Sequence, residues 1–246
     1  MGGSILVTGG TGTLGSAVVG LLRGAGHDVR VLSRRAGPQR VVGDLRTGEG
    51  IGAAVSDAET IVHCATTNGG KDVVATRHLV EEARRSGRPH LVYISIVGVD
   101  RVPLFYYRAK LEAERLVRGS GLPWTVLRTT QFHELIAKIA SVQRRSPVVA
   151  ALSDVRFQPI AVDEVAHRLA ELVDGAPAGR VPDMGGPQVR SHADLTRAYC
   201  EAHGLRRRVL RLRPPGAVFR ALRAGENLVP DRAVGRATFE DFLSGG

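Results

Sequence analysis

Short runs of aliphatic and β-branched residues recur along the first half of the chain: SILVT (4–8), VRVLS (29–33), RVVG (40–43), TIVHCA (60–65), HLVYIS (90–95) and WTVLR (124–128). Between them lie stretches whose apolar positions return every three or four residues. Strand and helix patterns alternating in this way argue for βαβ units and a parallel sheet covered on both faces. Past Arg128 the pattern loosens, and Pro147, Pro159, Pro177, Pro182, Pro187, Pro214 and Pro215 divide shorter elements. One clear helix remains there, in SHADLTRAYCEAHG, where Ser191 and Asp194 stand at capping-box-like spacing and Gly204 is a stop signal.

The first strand runs straight into the most informative stretch, TGGTGTLGSAVVG. Gly10, Gly12 and Gly15 have G-x-G-x-x-G spacing, and Gly9, Gly12 and Gly15 fit G-x-x-G-x-x-G equally well. Glycine suits such positions because the chain turns sharply off a strand, lets a pyrophosphate approach its backbone, and packs a helix close to the sheet. Thr13 and Leu14 open that helix, whose free N–H groups and partial positive charge favour phosphate. The context of strand, turn and helix reads as a dinucleotide-binding unit. At the end of the second strand, where an acidic residue ordinarily holds a ribose 2′-hydroxyl, stand Ser33, Arg34 and Arg35. A guanidinium grips a 2′-phosphate that an acid would repel, so NADPH/NADP is expected over NADH. The bland reading is that two surface arginines close a strand.

Composition changes this picture little. The 246 residues are long enough for one sizeable core, or for one core with an appended cap. No run of about 18 apolar residues is present, so no membrane association is expected. Cys64 and Cys200 lie far apart and outside metal-ligand spacing; they read as small buried hydrophobes in a reducing compartment, with no metal site. The net charge of +10 invites a nucleic-acid reading, yet the arginines are scattered. Their densest group, in RRRVLRLRPP, reads as a strand alternating with a solvated face, and no nucleic-acid partner is expected.

FYYRAKLEAE (105–114) carries the candidate chemistry. Tyr106 and Lys110 are four apart and share a helix face. A free tyrosine titrates near pH ~10, and a neighbouring ammonium favours the phenolate, so Lys110 is expected to draw Tyr106 down into working range. Tyr107, three residues before Lys110, can share that face, and geometry alone does not choose. Phe105, Tyr106 and Tyr107 also suit an apolar helix entry packed on the sheet.

The segments TGGTGTLG (8–15), GDL (43–45), HCAT (63–66), YISIVGV (93–99), YYRAK (106–110), LRTTQF (127–132) and QPIAVDEVA (158–166) resemble the short-chain dehydrogenase/reductase superfamily, specifically its atypical, NmrA-like branch of NAD(P)-binding proteins. The resemblance implies a Rossmann-type doubly wound parallel sheet as an NADP-binding core over residues 1–129. A small C-terminal substrate-binding cap over 130–246 would partly complete the sheet. It implies that Asp44 and Leu45 border the adenine and that His63, Cys64, Ala65 and Thr66 pass beside the nicotinamide ribose. The family's Y-x-x-x-K pattern selects Tyr106 as proton donor, with Lys110 also holding the ribose hydroxyls. Two departures stand out. Ser95 is alone at the family's catalytic serine, with Ile96 following it, and the asparagine of classical members gives way to His63 and Cys64. Thr66, Thr67, Gln131 and His133 offer compensating hydrogen bonds near nicotinamide or substrate, His133 also as an alternative proton donor.

The resulting expectation is a cytoplasmic NADPH-dependent oxidoreductase, monomeric or homodimeric. It would reduce a carbonyl or quinone-like group of a small organic substrate, with Tyr106, Lys110 and Ser95 catalytic and Gln131 and His133 on the substrate. The rivals are a non-catalytic cofactor sensor and a sugar-nucleotide epimerase or dehydratase.

Overall fold

The computed structural model describes residues 4–66, 69–143 and 145–245. Its strands are β1 (Ile5–Thr8), β2 (Val29–Ser33), β3 (Arg40–Val42), β4 (Thr60–His63), β5 (His90–Ile96), β6 (Trp124–Thr129), β7 (Val148–Leu152), β8 (Arg156–Phe157), β9 (Gly179–Arg180), β10 (Arg190–Ser191) and β11 (Arg208–Leu212). The helices are α1 (Thr13–Gly24), α2 (Ile51–Val55), α3 (Lys71–Arg85), α4 (Phe105–Arg118), α5 (His133–Ser141), α6 (Val162–Asp174), α7 (His192–Ala202), α8 (Ala217–Ala224) and α9 (Phe239–Ser244). Among the described residues no helix is long and apolar enough to cross a membrane.

The six aliphatic runs of the first half become β1 to β6. With β9 they form one parallel sheet in the order β3-β2-β1-β4-β5-β6-β9. Every residue of β1 is buried, as a strand covered on both faces requires. From β1 the chain steps outward to β2 and β3 on one side and then returns to place β4 on the other, with Thr8 in register with His63. Parallel sheets bind ligands at such a reversal, outside the carboxyl ends of the strands. α1 packs on α6, and α3 on α4. The core under α3 and α4 gathers Leu6, Ile61, Leu79, Leu91, Tyr93 and Val117.

The chain divides into two units, and the division is not one cut after residue 129. The first unit holds the residues up to Ser95, Phe105–Arg128 and Val162–Pro182; the second holds Ile96–Leu104, Thr129–Ala161 and the residues from Asp183 on. Residues 162–182 return to the first unit because α6 buries Val165, Leu169 and Leu172 and β9 extends the sheet beside β6.

The second unit carries two small sheets, β10 antiparallel to β8 and β11 parallel to β7. Ile136, Phe157, Leu195, Tyr199 and Phe239 form its core. Ser191 caps α7 by accepting from the Asp194 N–H at 3.1 Å, and Gly204 follows the helix at φ +65°. The arginine-rich run does form a strand, β11, but its apolar residues are not sorted inward. Leu210 and Leu212 remain 53% and 43% exposed in a strand paired with β7 in a two-stranded sheet.

Two glycines fix how α1 meets β1. Gly9 lies at φ +70°, and a Cβ there would stand 2.6 Å from the Ala65 nitrogen. A Cβ on Gly15 would run into the carbonyl of Gly9, whereas Gly20 on the same helix has nothing within 4 Å. Gly15→Ala should therefore cost about 2 kcal/mol or more by forcing backbone apart. Gly20→Ala should stabilise by about 0.5–1 kcal/mol, since a helical glycine is replaced without a clash. Urea unfolding of the two variants reads both, and equal midpoints would refute the close approach of α1.

Candidate active site

The turn after β1 is drawn tight by the Gly12 N–H donating to the Gly9 carbonyl at 2.9 Å, and α1 begins with Ser16 N–H donating to Gly12 at 2.9 Å. No side chain caps this helix and its first turn holds no acid. Gly12 is exposed at φ −87°, an ordinary conformation, and an added Cβ would meet only the Gly9 oxygen at 3.3 Å. The protein's own packing thus does not demand a glycine there. The uncapped N-terminus and the bare backbone beside it fit a pyrophosphate. Thr13 is exposed at this end, while Leu14 turns its side chain into the core and offers only its backbone.

The Gly43 N–H donates to the Ser33 carbonyl at 3.0 Å, bringing the end of β2 against the GDL segment. Ser33 Oγ accepts from the Arg35 N–H at 3.1 Å. Arg34 and Arg35 are exposed, and neither guanidinium has an ion-pair partner among the described residues. Asp44 accepts from the Arg46 N–H at 2.8 Å, and Leu45 is half-buried on the core, its carbonyl 2.9 Å from His78 Nδ1.

Across the strand reversal, His63 is buried between Thr8 Oγ1 at 2.7 Å and Thr76 Oγ1 at 3.0 Å. Burial pushes its pKa down to about 3, so the imidazole is neutral. Cys64 and Ala65 are half-buried, and burial pushes the Cys64 thiol up to about 12, far from a reactive thiolate. Thr66 is exposed and donates from Oγ1 to Asp72 Oδ2 at 2.8 Å. Thr67 lies outside the described residues.

α4 turns Tyr106, Lys110 and Glu114 along one stripe at intervals of four. The Tyr106 hydroxyl lies 3.3 Å from Thr66 Oγ1. Its neighbours on the helix diverge: Tyr107 is buried, and Phe105 is 70% exposed instead of packed on the sheet. Lys110 is buried, donates from Nζ to the Ile94 carbonyl at 2.9 Å, and lies 4.3 Å above the Tyr93 ring. Burial lowers its pKa to about 8, against the opposing pull of Asp72, Cys64 and Glu114.

Tyr106 corrects the expectation about its proton. Its pKa is raised, first by burial and further by the Asp72 charge, with the Thr66 hydrogen bond acting the other way. Lys110 does not bring it down, because that ammonium is turned onto Ile94 and Tyr93. Ser95 has its hydroxyl engaged with another residue. It is buried and donates from Oγ to Glu114 Oε2 at 2.7 Å, while Arg128 holds the same carboxylate through Nε at 2.9 Å and Nη2 at 2.8 Å. Among the described residues no hydrogen bond joins Ser95 to Tyr106 or Lys110.

Gln131 and His133 belong to the second unit. Gln131 is buried, donating to the Asn227 carbonyl at 3.3 Å, and its Oε1 has no partner among the described residues. His133 is buried against Phe239 and Phe242, with ring centroids 5.8 and 5.4 Å away, and its Nε2 lies 3.2 Å from the Ala237 carbonyl. Asp72, Glu114 and Arg128 escaped the sequence reading; the only available signal was Glu114 continuing the Tyr106 and Lys110 spacing.

A family described as NAD(P)H-binding matches residues 9–175. A divinyl chlorophyllide a 8-vinyl-reductase of Oryza sativa subsp. indica is 28% identical over 221 residues, covering 75% of this chain and 54% of that protein. The chain thus spans about half the length of that relative. A (4-alkanoyl-5-oxo-2,5-dihydrofuran-3-yl)methyl phosphate reductase of Streptomyces griseus subsp. griseus is 33% identical over 210 residues, 78% of this chain and 71% of that one. Among solved structures, an NADPH-dependent quinone oxidoreductase of Escherichia coli, complexed with NADPH, superposes with a TM-score of 0.85 over 98% of this chain and 99% of that one. At 16% identity that likeness is one of fold. Glycine turn, sheet order and family match agree: the chain belongs to the NAD(P)H-binding family, within the atypical, NmrA-like branch of the short-chain dehydrogenase/reductase superfamily.

Proposed function

We propose that this protein is an NADPH-dependent reductase of a carbonyl or quinone-like group on a small organic molecule, with Tyr106 as the proton donor. The observation that carries the reading is the partly exposed Tyr106 hydroxyl beside Thr66, one helical turn from buried Lys110, in the same unit as the glycine turn. Two relatives named as reductases favour the reductive direction. The first N–H groups of α1 hold the pyrophosphate, Arg34 and Arg35 take the 2′-phosphate, and Lys110 offers ribose hydroxyls the N–H groups not given to Ile94. When bound, NADPH supplies a hydride. Tyr106 gives its proton to the substrate oxygen, and its raised pKa keeps it protonated until that moment. Ser95 serves the Glu114 ion pair in this reading.

A cofactor sensor is the second reading, favoured by Ser95 being engaged with Glu114 and so absent from any relay. Mixing the protein with NADPH and a panel of quinones, ketones and aldehydes, while following cofactor absorbance, separates the two. Turnover supports the reductase, and micromolar NADPH binding without turnover on any of them supports the sensor.

Three outcomes follow for variants. Gly12→Val should fold with parental thermal stability yet lose NADPH affinity by roughly 100-fold or more, since only ligand space is filled; calorimetric titration checks both halves. Arg34→Asp should reverse a preference for NADPH over NADH by replacing attraction for the 2′-phosphate with repulsion. Equal affinities in the parent would remove the basis for that assignment. Tyr106→Phe should lower turnover by roughly 100-fold or more while NADPH affinity hardly moves, with Tyr107→Phe as the control. Full activity in Tyr106→Phe would pass the donor role to another group or to water.

A further inference from the structure

Thr66 has one hydroxyl proton, and that proton is directed at Asp72 Oδ2, 2.8 Å away. In the 3.3 Å contact between Thr66 Oγ1 and the Tyr106 hydroxyl, the tyrosine is therefore the donor. The chain of bonds has a direction: Tyr106 to Thr66 to Asp72. Asp72 is only 4% exposed and sits in the first turn of the 15-residue α3, where the helix end favours a carboxylate. Gly70 is the cap residue of that helix, so Thr66 is not there to cap it.

We propose that Asp72, acting through Thr66, is a positioning residue that keeps the proton on Tyr106 and fixes where its hydroxyl points, biasing the site toward giving a proton and hence toward reduction. The inference rests on Tyr106 being the proton donor. While Tyr106 is a phenol, Asp72 occupies the Thr66 proton. Once Tyr106 has passed its proton to the substrate oxygen, the phenolate and the Asp72 carboxylate compete for that single Thr66 proton. Tyr106 regains its own from water.

Among the described residues, Thr66 approaches Tyr106 from the loop after β4, Asp72 from α3 and Tyr93 from β5, with Tyr107 beside it on its own helix. Burial and the Asp72 charge both raise the Tyr106 pKa, and the Thr66 hydrogen bond lowers it. The two substitutions should consequently not act independently. Asp72→Asn removes a like charge and frees Thr66 to donate to the phenolate, so the pKa falls. In a Thr66→Val background only the loss of the charge remains, so the same Asp72→Asn change should move the pKa less.

The test is NMR titration of the full chain labelled with ¹³Cζ-tyrosine, where the Tyr106 resonance is the one missing in Tyr106→Phe. The titration midpoint should drop by about one unit in Asp72→Asn, drop by less when Asp72→Asn is made on Thr66→Val, and stay near the parent in Asp72→Glu. In reductase assays the alkaline limb of kcat/KM should move to lower pH in Asp72→Asn by a similar amount. A midpoint that stays put in Asp72→Asn, or drops as far on Thr66→Val as on the parent, overturns the proposal. If Asp72→Asn does not fold, Asp72→Ser is measured in its place in both backgrounds. A Thr66-dependent drop together with full turnover in Tyr106→Phe would uphold the Asp72 coupling while rejecting Tyr106 as the donor.

Discussion

Glu114 is fully buried, and a carboxylate in that position is tolerable because Arg128 grips both its oxygens, Ser95 donates to one of them and Arg118 lies 3.9 Å from the other. Removing one partner of such a pair ordinarily costs about 3–5 kcal/mol, because the other charge is left buried and alone. Arg128 stands on β6 and Ser95 on β5, so the two bonds pin α4 to adjacent strands. Rotation of α4 about its axis breaks both. Lys110 and Tyr106 lie one and two steps of four residues further up the same stripe. Their direction is set from the far end of the helix.

Lys110 is a second buried charge, and its balance is finer. Burial draws its pKa to about 8, and the carboxylates of Asp72 and Glu114 limit the fall. Near neutral pH the ammonium persists, held by the Ile94 carbonyl and the face of Tyr93. The same burial eliminates competing acids and bases around it. His63 is neutral, Cys64 keeps its proton up to about 12, and the Tyr93 phenol is raised well above its ordinary range by burial first and by nearby Asp72, Tyr106 and Glu114. Tyr106 is the group in this cluster that combines an ionisable proton with a partly exposed position.

Much of this was legible in the sequence where the signal is local. Six aliphatic runs became six strands, the glycine turn opened α1, and Ser191 with Asp194 began α7, because each depends on residues within one turn of one another. The failures are contacts made at distance. Ser95 meets Glu114 and Arg128 from two other elements, and nothing in ISIV announces that its hydroxyl turns toward a buried carboxylate. Thr66 and Asp72 are close in sequence but look like unremarkable loop and helix-start residues until the fold brings Tyr106 beside them. The sign of the Tyr106 shift was missed for the same reason. Spacing placed an ammonium one turn away, yet its hydrogen bond to Ile94 takes it off the phenol. The return of residues 162–182 to the first unit was likewise hidden, since an amphipathic helix carries no label for the surface it will cover.

The glycine turn shows how packing and ligand can be separated within one motif. Gly9 is required by its positive φ and by Ala65, Gly10 by the side chains of Val31 and Val19, and Gly15 by the backbone of Gly9. Those three glycines would be needed by this βαβ unit whether or not it bound anything. Gly12 has an ordinary conformation, is exposed, and would carry a Cβ with no more than one close neighbour. A residue that the folded chain leaves free to be larger, at an uncapped helix end without an acid, is explained by what must approach it from outside. The ligand argument therefore rests on the one glycine that the protein's own atoms do not account for.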